Sequence, residues 1–191
     1  MGTVAHRTTT IFIVALLTAG VVGLVGCSNS SGPSGEVDPD YLEPTSPENV
    51  VLNFGRAYVY LNLDEYLACL SDDFKFHFTE ADQHDLPQLP PWFYKSDERQ
   101  VHENMFGDEW NVESITLTLT VASVETIPGG DLRMLTGDVV VIRAETDLRV
   151  SLAGGTTYLA TSPQEFYFRT VVDSEEREGR VLWEMFEWHD L

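Results

Sequence analysis

The sequence predicts an α+β domain, with about three helices packed on one face of a curved antiparallel sheet, preceded by a signal peptide and a flexible tether. Three observations predict it. Apolar residues recur at helical spacing only between Ser46 and Phe106. From Val112 to the C-terminus they alternate with polar residues in long runs, the period of half-buried strands. Ahead of both lies an apolar run from Ile11 to Val25, followed at once by a segment rich in serine, glycine and proline. Helices first and strands afterwards, in one chain segment, give helices layered on a sheet.

The N-terminal segment opens with His6 and Arg7, has no acidic residue before Glu36, and carries small residues where its apolar run ends. That is the layout of a secretory signal. A transmembrane anchor is the rival, since the run from Thr8 to Val25 approaches the roughly 18 residues that suggest a span. No basic flank follows it to stop transfer. Leu24-Val25-Gly26-Cys27 resembles the lipobox of bacterial lipoproteins: an aliphatic residue, a small residue just before the cut, and the cysteine. The resemblance implies removal of residues 1–26 and acylation of Cys27, which would anchor the chain in the membrane of a bacterial cell envelope. Ser28 lacks the aspartate that retains many such proteins at the inner membrane, which favours the outer membrane in a Gram-negative cell. Residues 27–45 are then the lipidated cysteine and a flexible linker, and residues 46–191 the folded domain.

Removal of residues 1–26 takes away Arg7 and no acid, leaving 31 acidic against 10 basic residues, a formal charge of −21. Such a surface repels phosphates, so nucleic acid is not expected as a partner. The 43% hydrophobic content excludes wholesale disorder. Cys69 is the one thiol left beside Cys27, which excludes a disulfide framework and a cysteine metal cluster.

Within the domain, Ser46-Pro47-Glu48 is a helix start: a serine cap, proline at the first helical position and an acid facing the dipole. Val50, Phe54, Ala57, Tyr58 and Leu61 follow on one face. Asp64 is expected to cap a second helix. Phe74, Phe76 and Phe78 alternate with Lys75, His77 and Thr79, which reads as a strand with His77 toward solvent. The proline-rich stretch from Asp85 to Phe93 is expected to lack regular structure. Ser96 is expected to cap a third helix containing Val101, His102, Met105 and Phe106, ended by Gly107. Strands follow at 112–125, 137–152 and 158–173, with a bulge or bend expected near Pro163. The last strand is apolar on both faces, with Trp183 and Met185 on one and Leu182, Phe186 and Trp188 on the other.

The order helix, helix, strand in the stretch from Pro47 to Phe76, with the tryptophan-rich closing strand from Leu182 to Leu191, resembles the nuclear transport factor 2-like superfamily. The resemblance spans Ser46 to Leu191 and implies a cone-shaped sheet. In the superfamily's enzymes, such as ketosteroid isomerase, the cone holds an aspartate, alone or with a histidine, that moves protons on a small substrate. Here the inward strand positions are apolar. Asp138, at a strand start, and His102, on the third helix, are the two candidates for a proton-transfer isomerase or lyase. Tyr58, Trp92, Tyr94 and His102 are candidate pocket-lining residues for a small apolar ligand. Relatives dimerise through the open sheet face, which makes Phe186 and Trp188 candidate interface residues of a homodimer. The Glu80, Asp82, His84 and Asp85 cluster matches no calcium or zinc spacing, so neither metal nor cofactor is expected. The leading expectation is a non-catalytic domain that binds a small ligand or a protein partner. A proton-transfer enzyme and a structural envelope protein with a filled cone stand as alternatives.

Overall fold

The computed structural model describes residues 4–6, 39–129, 137–172 and 181–191. Apart from Val4–His6, the expected signal segment lies outside the described residues, as do Cys27 and the tether up to Asp38. Helix α1 spans Pro47–Val59, α2 Leu63–Ala68, α3 Glu80–Asp85 and α4 Lys95–Phe106. The strands are β1 (Val4–His6), β2 (Leu70–His77), β3 (Trp92–Tyr94), β4 (Val112–Ile127), β5 (Val139–Leu152), β6 (Thr157–Val172) and β7 (Val181–Asp190). Among the described residues no helix is long and apolar enough to cross a membrane.

Local chemistry sets the helix starts. Ser46 Oγ accepts the Asn49 N–H at 3.3 Å and Pro47 opens α1. Asn62, not Asp64, caps α2, because its Oδ1 reaches the Glu65 N–H at 3.2 Å while its carbonyl accepts the Tyr66 N–H. Helix α4 begins at Lys95, one residue ahead of Ser96: Asp97 Oδ2 accepts the Tyr94 N–H at 2.8 Å and brings the first turn forward. Thr79 caps the short α3, accepting the Asp82 N–H on its hydroxyl. The proline-rich stretch is not wholly irregular. Once past Pro91, Trp92–Tyr94 pairs antiparallel with Lys75–His77.

Six strands form one curved sheet in the order β3-β2-β7-β6-β5-β4, and β1 adds in parallel beside Thr157–Leu159 of β6. Strands β4, β5, β6 and β7 are sequential antiparallel neighbours, whereas β7 returns to lie parallel to β2. Pro163 causes no shift in the β5–β6 register. Its carbonyl accepts the Leu191 N–H at 3.2 Å just past the end of β7. The bulge falls instead between Tyr167 and Phe168 of β6, opposite the β7 residue Phe186.

That bulge corrects the reading of β7. Phe186 and Glu187 both turn to the outer face, and Trp188 returns to the inner one. Trp188, 5% exposed, packs edge-to-face against Phe54 and Phe76 and tilted against Phe166 in the core. Phe186 packs on the other side against Val139 and Val141. The core is therefore the inner face: the Phe54 ring meets Tyr58, Tyr66, Phe166 and Trp188 at centroid distances of 5.2 to 5.9 Å.

Ordered contacts begin before Ser46. The buried Asn53 amide holds the Leu42 backbone from both sides, at 2.8 and 2.7 Å, and Trp183 donates its backbone N–H to the Pro44 carbonyl. Arg56 Nη1 donates to the Asp40 carbonyl. The end of the expected linker is thus fixed to the domain.

Candidate functional site

Helix α1 covers only part of the inner face of β4. Strand β4 carries apolar residues inward along its length, but Leu117 and Leu119 are half-covered and Val121 and Val124 are 50% and 51% exposed. Across from them α1 presents Leu52, 51% exposed, and Val59, 40% exposed. Between these two walls lies a groove of about 490 Å³, floored by Val51 and Ile142. Among the described residues Glu48, Arg56 and Tyr60 carry its only polar side chains. Gly55 faces the groove at mid-helix, and a β-carbon there would meet nothing within 4 Å. The volume lies in the range of small-molecule sites, and the lining has the character of one: mostly apolar, with a few polar groups to orient a ligand.

A second constellation is polar and sealed. Tyr58, Tyr66, Glu98 and His102 converge beneath α1, α2 and α4, each 3% exposed or less. His102 donates its Nδ1–H to the Glu98 carbonyl at 2.8 Å, which fixes Nε2 as the acceptor for the Tyr58 hydroxyl at 2.6 Å. Tyr66 donates to Glu98 Oε2 at 2.6 Å and its ring stacks on His102 at 4.0 Å. Glu98 Oε1 meets no hydrogen-bond partner among the described residues. Burial, only partly offset by the Tyr66 hydrogen bond, pushes the Glu98 carboxyl up to about 7. Burial likewise lowers His102 to about 4, and raises both tyrosines well above their usual value. At neutral pH the cluster holds a neutral imidazole and two neutral phenols around a carboxyl near its midpoint. None of its members lines the groove.

The residues singled out in the sequence are distributed as follows. Tyr58 and His102 belong to the sealed cluster. Trp92 and Tyr94 lie on β3 at the far edge of the sheet, away from the groove. Asp138 is exposed at the start of β5 and accepts the Gly129 N–H at 3.1 Å. The groove residues were missed, although one signal pointed to them: Leu52, Gly55 and Val59 form a second apolar row on α1, on the flank of the face that carries Val50, Phe54 and Ala57. Glu98 was missed because glutamate in a first helical turn is ordinarily a solvated dipole partner.

No family profile matches the chain, and no curated protein matches it in sequence. Solved structures are similar in fold. A candidate aromatic ring hydroxylase from Novosphingobium aromaticivorans superposes with a TM-score of 0.52 at 14% identity, over 75% of this chain and 83% of that one. A ketosteroid isomerase-like protein from Erwinia carotovora atroseptica gives 0.47 at 14% identity, over 75% and 90% of the two chains. A nuclear transport factor 2-like protein of unknown function in nutrient uptake from Rhodospirillum rubrum gives 0.46 at 12% identity, over 76% and 96%. These likenesses concern the fold; chemistry has to be argued from the residues of this chain.

Proposed function

We propose that this chain is a lipid-anchored protein of the bacterial cell envelope whose domain binds a small apolar ligand, without catalysis, in the groove between α1 and β4. The observation that carries the reading is the pairing of two half-exposed apolar walls, Leu52 and Val59 facing Val121 and Val124, across a cleft of about 490 Å³. Each wall residue loses roughly 1 kcal/mol of its burial energy while the groove is open, since full burial of such a side chain is worth about 1.5–3 kcal/mol. A ligand of hydrocarbon character recovers that energy. Anchorage through Cys27 would hold the groove close to a source of apolar molecules, and the acidic surface would keep the domain off anionic lipid.

The chemistry of the groove supports binding over proton transfer. Asp138 stands in the exposed turn before β5, and His102 is sealed with both ring nitrogens engaged, so neither faces the cleft. The test uses residues 39–191, which include all of the described core, expressed without the anchor. Native mass spectrometry and titration with a straight-chain acyl probe should give one ligand per chain. Leu52→Glu and Val121→Glu, one on each wall at exposed positions, should each abolish binding while leaving the thermal midpoint nearly unchanged. Retained affinity in both variants would place the ligand elsewhere.

A further inference from the structure

On the opposite face of the sheet, His77, Glu187 and His189 come together from two strands more than a hundred residues apart in sequence. Parallel pairing of β2 with β7 sets His77 beside His189 in register. The bulge at Phe186 turns Glu187 onto the same face, two residues before His189. One potential ligand atom from each of the three side chains lies within 4.8 Å of the others. Glu187 Oε2 is 2.9 Å from His189 Nε2 and 3.8 Å from His77 Nε2. A four-coordinate zinc ion with bonds of 2.0–2.1 Å holds its ligand atoms about 3.4 Å apart, a value these two distances bracket.

We propose that His77, Glu187 and His189 bind a divalent transition-metal ion of the zinc type. Two imidazoles and one carboxylate are the donor set that suits zinc and the neighbouring divalent ions, and three protein ligands leave a fourth position for water or another ligand. The His77 and His189 side chains are 22% and 24% exposed and that of Glu187 is 8% exposed, so the three lie at the outer surface of the sheet, partly covered. The surroundings hold the ligands in place. Trp92 flanks His77 at 6.0 Å, Tyr167 flanks His189 at 4.8 Å, and the Tyr167 hydroxyl donates to Glu165 on the same face. Two strands of a continuous sheet position all three ligands, which is a more rigid mounting than a loop. The site and the groove lie on different faces, so each reading stands or falls without the other.

The experiment takes the full chain, untagged, in an uncharged detergent, stripped with a chelator and dialysed. Cobalt(II) titration should give one equivalent with the visible absorption of a low-coordinate site, and zinc should displace it. His189→Gln, His77→Gln and Glu187→Gln should each weaken zinc binding by more than the roughly 10–100-fold that loss of a supporting residue costs a metal site. His84→Ala, in the exposed α3 cluster, should leave it unchanged. Melts in chelator identify any variant that fails to fold. A ligand variant with an unchanged metal-free midpoint that has lost the zinc-induced rise in midpoint supports the site. Absence of stoichiometric binding, binding that survives His189→Gln, or binding lost in His84→Ala overturns it.

Discussion

Substitution of Gly55 separates the groove from every other feature of the domain. Gly55 lies inside α1, where glycine costs about 0.5–1 kcal/mol relative to alanine. Its missing β-carbon points into open space with no heavy atom within 4 Å. Gly55→Leu therefore removes the helix penalty, because leucine ranks close to alanine in helices, and places four carbons in the cleft. The expected thermal midpoint rises by about 1–4 °C for a domain of this size. Four carbons also displace about four methylenes of a bound apolar ligand, each worth about 0.8 kcal/mol. The loss of about 3 kcal/mol corresponds to a roughly 200-fold weaker Kd. Both quantities come from one protein sample, by thermal melt and by displacement of a neutral fluorescent naphthylamine probe. A raised midpoint with affinity within twofold of the parent would remove the groove as the ligand site. A lowered midpoint would show that Gly55 does not face open space, and the geometric argument would fail with it.

Glu98→Gln tests the sealed cluster through pH. Glu98 keeps its proton up to about 7 in the folded chain and releases it near 4.5 when unfolded, so its contribution is complete below 4.5 and is lost as the pH rises to 7. His102 behaves oppositely: it stays neutral down to about 4 when folded and takes up a proton near 6.5 when unfolded, so its contribution is complete above 6.5 and is lost as the pH falls. Between 4.5 and 6.5 the two slopes, each about 1.4 kcal/mol per pH unit, oppose one another. In urea melts at pH 5 and pH 7, Glu98→Gln should gain about 2 kcal/mol relative to the parent over that interval; parallel profiles would refute the assignment. Tyr66→Phe leaves Glu98 Oε2 without its hydroxyl donor and should cost about 1–3 kcal/mol in the same assay. Phe54→Ala, which empties the centre of the aromatic core, should cost about 3–5 kcal/mol. Cys27→Ser should abolish fatty-acid labelling and move the chain from the membrane to the soluble fraction; persistent labelling would exclude the lipobox assignment.

The fold was legible in the sequence because its largest signals are periodic and local. Alternation in β4 and β5, the Phe74 to Phe78 row and the Ser46-Pro47-Glu48 start each report a burial pattern that a few neighbouring residues decide. The site was much less legible, and for a definite reason. Whether Leu52, Val59 and Val121 are core or groove depends on how far α1 reaches along β4, which no local pattern encodes. The same limit hid Glu98, whose burial is decided by Tyr58 and Tyr66 on two other helices. Helix starts missed by one or two residues, at Asn62 and Tyr94, went to side chains whose competing hydrogen bonds were equally available in the sequence.

The sharpest divergence came from strict alternation along β7, and it bears on both faces of the sheet at once. Alternation from Phe186 puts Trp188 outward as a dimer anchor, and the same count puts Glu187 on the inner face. One extra residue reverses both assignments. The Trp188 ring then packs into the core against Phe54, Phe76 and Phe166, and the groove between α1 and β4 is open apolar space at its periphery. Glu187, turned outward by the same bulge, arrives between two histidines that the parallel β2–β7 pairing had already set side by side. A single irregularity in the β6–β7 ladder thus turns the Glu187 carboxylate from the inner face to the outer one, beside His77 and His189.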